Sequence, residues 1–157
     1  VPPKPSAAQR RRAALRAALD AQRGALGEPP YAGPEQAELT GCAEAVLRAA
    51  EAGLTPLRPA VQAAVRGTLA ELAQRAPGHA LEVRVPPFGA VQILAGPQHT
   101  RGTPPGVVET APLVWLALAL GHRTWAAALA AHEVTASGVR ADLAPLLPLW
   151  QPRSARP

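Results

Sequence analysis

The sequence predicts an α+β fold, and three observations carry that prediction. Apolar residues in the first half recur at the three- and four-residue spacing of helices, residues 81–94 switch to the period of two that marks strands, and beyond residue 106 short strand-like and helix-like stretches share the remaining chain. At 157 residues the length suits one domain, or one domain with a short helical appendage, and folding at that size buries enough surface for a core without disulfide or metal staples.

Residues 1–6 read as a disordered leader, because three prolines remove donors and favour extended backbone. Ala7 to about Ala25 is predicted helical, with Leu15, Leu19 and Leu26 on one stripe widened by alanines, and Gly27 to Gly33 with Pro29 and Pro30 breaks it. A second helix follows Pro34, since Leu39, Ala43, Val46, Leu47, Ala50 and Leu54 share a face. Cys42 borders that face and reads as a small buried hydrophobe. The third helix starts near Pro59, where a first-turn proline lacks nothing it needs, and runs through Val61, Val65, Leu69 and Leu72 to Pro77-Gly78.

Leu81-Glu82-Val83-Arg84-Val85 alternates apolar and charged residues, as a strand with one buried face does. Pro86 to Gly89 is a turn, and Ala90 to Leu94 returns as the second arm of an antiparallel hairpin with Val91 and Ile93 on one side. A loop rich in glycine and proline, Gly96 to Gly106, leads to a short strand, Val107 to Glu109. Thr110 is placed to cap a helix with Pro112 in its first turn and Gly121 as its stop. Thr124 is placed to cap Trp125–Ala131, residues 134–137 form a further strand, and Asp142 is placed to cap a last helix holding Leu143, Leu146 and Leu147. The organisation expected is a leader (1–6), an N-terminal helical segment (7–56), an α+β domain (57–150) and a tail (151–157).

Charge placement limits the partners. The formal net charge is +5, but residues 1–23 hold six basic side chains against Asp20, whereas residues 24–152 hold eight arginines against ten acids. The body is slightly acidic, which argues against a nucleic-acid groove across the fold and leaves at most a weak anionic-surface contact through the basic start. A lone cysteine rules out an intramolecular disulfide framework and fits a reducing cytoplasm. Ala111 to Gly121, the longest uncharged apolar run, is about half of the roughly 20 residues a membrane span needs.

Catalytic signals are sparse. His79, His99, His122 and His132 show no ligand-pair spacing, so no metal is expected, and no phosphate-cradling or nucleophile-elbow glycine motif occurs. The unusual element is Pro112 to Leu120, which carries no polar side chain. Such a helix must be covered on every side or lie against an apolar cavity, and periodicity does not choose between a central core helix and the wall of a lipid pocket. In the second case Trp115 and Trp125 offer large apolar faces with a polar N–H near the rim. In the loop His99-Thr100-Arg101, Arg101 is suited to hold a carboxylate or phosphate with help from His99, or else to satisfy loop carbonyls.

The segments Arg84-Val-Pro-Pro-Phe-Gly-Ala-Val-Gln92, Gly96-Pro-Gln-His-Thr-Arg-Gly-Thr-Pro-Pro105, Val107-Val-Glu-Thr110, Trp115-Leu116, Trp125 and Ala136-Ser-Gly-Val-Arg-Ala-Asp-Leu143 resemble the bacterial (actinobacterial) sterol carrier family, orthologues of the sterol carrier protein type two fold. The resemblance spans roughly residues 57–149 and is most specific at His-Thr-Arg-Gly-Thr-Pro-Pro. It implies a mostly antiparallel sheet of about five strands with helices on one face, enclosing a tunnel for acyl chains or sterols. Ala111 and Val139 stand where acids are expected. The function expected is non-enzymatic, cytoplasmic binding of a lipid or fatty-acid-like molecule, with no cofactor. Val91, Ile93, Leu113, Trp115, Leu116, Leu120, Trp125, Leu129 and Leu146 would line or cover the cavity, and His99 and Arg101 would meet a polar head group. Two alternatives are an accessory domain of a thiol-dependent isomerase system, in which Arg101 holds a small carboxylate, and a helical interaction module.

Overall fold

The computed structural model describes residues 1–96 and 106–151, so the Gly96–Gly106 loop, with His99 and Arg101, falls outside the described residues except at its two ends. The chain divides into two compact units, residues 1–64 and 65–157, with the boundary inside a helix.

The first unit holds α1 (Ala7–Ala25), α2 (Glu38–Glu51) and the opening turns of α3 (Arg58–Arg75). Ser6 starts α1 through a capping box: its hydroxyl accepts from the Gln9 amide while the Gln9 side chain accepts from the Ser6 amide. α2 begins at Glu38, four residues after Pro34, because Glu35–Ala37 forms a 3-10 turn ahead of it. The α1–α2 connection is tied by charge as well as by apolar contact. Arg16 donates to Asp20 at 3.2 Å, to Glu38 at 2.9 Å and to the Tyr31 carbonyl, with its guanidinium 5.3 Å from the Tyr31 ring centre. The Tyr31 amide donates to Asp20 at 2.7 Å and, with Arg16, holds that carboxyl below its ordinary range. Asp20, an unremarkable helical acid by sequence, is thus the pin between helix and loop. Cys42 is fully buried, and burial pushes its thiol up to about 12, so the sulfur stays neutral.

The second unit carries a four-stranded sheet of order β2-β1-β3-β4, formed by β1 (Leu81–Val85), β2 (Gly89–Ile93), β3 (Gly106–Thr110) and β4 (Val134–Ser137). The hairpin is as the alternation predicts, with Leu81 opposite Ile93 and Val85 opposite Gly89. The sheet is mixed, however, and has four strands among the described residues instead of about five in mostly antiparallel order. β2 already occupies one edge of β1 and ends beside Leu81, where β1 begins. β3 therefore enters at that same end on the other edge, Leu81 opposite Gly106, and runs parallel to β1. β4 closes the order antiparallel to β3.

Alternation sorts the two faces. Leu81, Val83, Val85, Ile93, Val108, Thr110 and Val134 are buried, while Arg84, Gln92, Glu109, Thr135 and Ser137 are exposed, so one face is covered and the other meets water, except at the edge strand β4, where Ala136 on the covered side is exposed too. The covered side has α3 along the hairpin: Arg66 Nε donates to the Phe88 carbonyl at 2.9 Å, and Leu69 lies beside Gly89. The junction from α3 into β1 turns on Gly78, whose φ of +146° is open to glycine and whose missing side chain lets the Leu94 carbonyl approach; a Cβ there would overlap it.

α4 (Pro112–Leu120) and α5 (Trp125–Ala130) link β3 to β4. Two expected caps differ. Ala111, not Thr110, is the N-cap of α4, because the Thr110 hydroxyl donates instead to the Glu133 carbonyl at 3.0 Å, beside the β3–β4 pair. Asp142 does bind the Ala144 amide at 2.9 Å, but it opens only a 3-10 turn, Ala144–Leu146, since Pro145 and Pro148 deprive a longer helix of amide donors. Thr124 caps α5 as its position predicts, accepting from the Ala127 amide at 3.1 Å.

Candidate functional site

The absence of polar side chains in α4 is matched by burial. Trp115, Leu116, Leu118, Ala119 and Leu120 are buried, and Trp115 has no exposed surface. Its indole N–H donates to the Thr68 hydroxyl at 2.8 Å, and that hydroxyl donates in turn to the Val65 carbonyl at 3.0 Å. A buried indole N–H without an acceptor is costly, and α3 supplies the acceptor. Trp115 is therefore a packed and satisfied core residue.

The open space lies one turn further on. α4 ends at Gly121, which adopts the left-handed conformation (φ 77°), while the His122 amide donates back to the Ala117 carbonyl at 2.8 Å. The chain then reverses through Arg123 and Thr124 into α5. A cleft of about 440 Å³ opens here, lined on one side by Gly121, Arg123, Thr124, Trp125 and Ala126 and on the other by Ala144, Leu147, Pro148 and Gln151. The second wall is fixed by its own bonds. The Leu149 amide donates to the Ala119 carbonyl at 2.9 Å, the Leu149 carbonyl accepts from Arg75, and the Arg75 guanidinium lies 5.3 Å from the Trp150 ring centre.

Arg123 provides the charge in the cleft lining. Its Nε donates to Glu133 Oε2 at 2.8 Å, and Glu133 is held by the backbone that ends α5. The Glu133 amide donates to the Ala128 carbonyl at 2.9 Å and the His132 amide to the Leu129 carbonyl at 3.1 Å, the paired bonds of a Schellman cap. His132 takes the left-handed position of that cap, φ 56°, which glycine usually fills.

Of the apolar residues singled out by sequence, Trp125 alone lines this cleft. Ile93, Trp115, Leu116 and Leu120 are buried, Val91 and Leu146 are half-buried, and Leu113 and Leu129 are 36% and 38% exposed. His99 and Arg101 lie outside the described residues. Sequence reasoning missed Arg123, Leu147, Pro148 and Gln151 as a group, because two segments some twenty residues apart make the cleft and neither carries a motif. The one local signal was an arginine next to a capping threonine in the turn between two apolar helices. Among the described residues no group of three or more His, Cys, Asp or Glu could hold a metal, and no helix is long and apolar enough to cross a membrane.

The second unit is thus an α+β layer with one face covered, an apolar helix within it and a cleft at that helix's end. Residues 57–149, more than half of the chain, match the family model described as bacterial SCP ortholog. The chain belongs to this bacterial sterol carrier family. No curated protein matches it. At the coarse level that membership supports, the family relation points to lipid or apolar-ligand binding.

Proposed function

We propose that the protein binds a fatty-acyl or sterol-like molecule without catalysing a reaction on it, and that the apolar part of the ligand enters the cleft at the end of α4. The observation that carries this reading is the juxtaposition of Trp125, Leu147 and Pro148 around about 440 Å³ of open volume in a chain of the sterol carrier family. Ligand pockets of about 300–1,000 Å³ hold drug-sized molecules. Binding is driven by removal of hydrocarbon from water: each methylene contributes about 0.8 kcal/mol, so a ten-carbon segment offers up to ~8 kcal/mol before ordering costs. Micromolar affinity corresponds to about 8 kcal/mol and millimolar to about 4, so partial burial of such a segment, less its ordering costs, sets the expected affinity nearer the millimolar end of that range.

Titration of the full chain with decanoate and 1-decanol, followed by calorimetry and by native mass spectrometry, tests the proposal. Saturable one-to-one binding that Trp125→Ala weakens at least tenfold is the expected result. Absence of any retained ligand, or binding indifferent to Trp125, would reject it.

A further inference from the structure

We infer that the cleft selects an apolar ligand ending in an uncharged polar group, a hydroxyl or a carbonyl, over one ending in a carboxylate. This rests on the binding role proposed above and specifies the ligand chemistry of the same site.

An arginine in an apolar cleft usually suggests an anionic head group, since a guanidinium and a carboxylate form a paired, charge-assisted contact. Here that contact is already made within the protein. Arg123 Nε is held by Glu133 at 2.8 Å, and a second guanidinium N–H faces the Ala127 carbonyl at a longer 3.5 Å. Glu133 is not a loose partner. Its amide is bonded to Ala128, its carbonyl receives the Thr110 hydroxyl at 3.0 Å, and the residue before it is the left-handed cap residue of α5. The backbone at Glu133 is thus fixed, which sets the point from which its carboxylate reaches Arg123.

A ligand carboxylate would therefore have to share one guanidinium with Glu133. A hydroxyl or carbonyl meets no such competition. It can accept from the remaining Arg123 N–H groups, from the Thr124 hydroxyl, whose oxygen accepts from Ala127 while its proton is available to donate, or from the Gln151 amide. Arg123 and Glu133 are each about one-third exposed, so solvent screens the competition and the selectivity is modest, about two- to fivefold.

The test compares 1-decanol with decanoate at pH 7.5 and low salt on the full chain, by calorimetry, in the parent and in Glu133→Gln. The affinity ratio between the two ligands is the readout, since any apolar site distinguishes a neutral from an ionised head to some degree. Expected is a parent that favours decanol, and a Glu133→Gln protein in which decanoate gains about two- to fivefold while decanol is unchanged, a gain that adding Arg123→Gln removes. A ratio unmoved by Glu133→Gln in a protein that retains its thermal midpoint overturns the inference and leaves the binding role intact. Failure of both ligands to bind the parent removes both.

Discussion

Trp115 and Trp125 stand ten residues apart on consecutive helices of one unit, and their surroundings differ in kind. Trp115 lies wholly inside, its N–H satisfied by Thr68 and its ring without exposure. Trp125, also buried, has one side turned to an open cleft of about 440 Å³. A charge-free helix alone does not announce a binding site: in α4 the apolar run answers the needs of the core, and the cleft lies where the helix stops and the chain must turn. One tryptophan is enclosed and the other borders open volume, and substitutions can test what that difference means.

The largest effect is expected from Trp115→Ala, which removes a fully enclosed side chain and should cost about 3–5 kcal/mol, read from the urea midpoint. Thr68→Val keeps the shape but strands the indole N–H, for a loss of about 1–3 kcal/mol with ligand affinity unchanged. Trp125→Ala should cost less stability than Trp115→Ala while reducing decanol affinity at least tenfold; equal stability losses with no change in affinity would dissolve the contrast. The smallest effect is expected from His132→Gly. Relieving a left-handed side-chain-bearing residue is worth about 1 kcal/mol, offset in part by glycine's extra freedom when unfolded, so the thermal midpoint should rise by a few degrees at most.

Much of this was legible in the sequence because periodicity reports burial. The alternation at 81–85, the glycine after Leu120 and the threonine before Trp125 each led to the element found. What stayed hidden depends on partners remote in sequence. Thr110 has the look of a cap, but the Glu133 carbonyl takes its proton. The parallel pairing of β1 with β3 follows from which edge of β1 was left open, and no local pattern encodes that. The carboxylate role assigned to Arg101 arose from a loop outside the described residues, whereas Arg123, with Glu133 already beside it, lines the cleft. Single residues announce their chemistry; whether that chemistry is already spent is decided by the fold.

The thiol of Cys42, enclosed and held neutral, also has a practical use. A maleimide dye at neutral pH attacks the thiolate, so the native cysteine would stay dark while a cysteine introduced at Thr135 or Gln92, on the water-facing side of the sheet, would take the label alone. The molecule thus accepts a site-specific fluorophore without first engineering its own sulfur away.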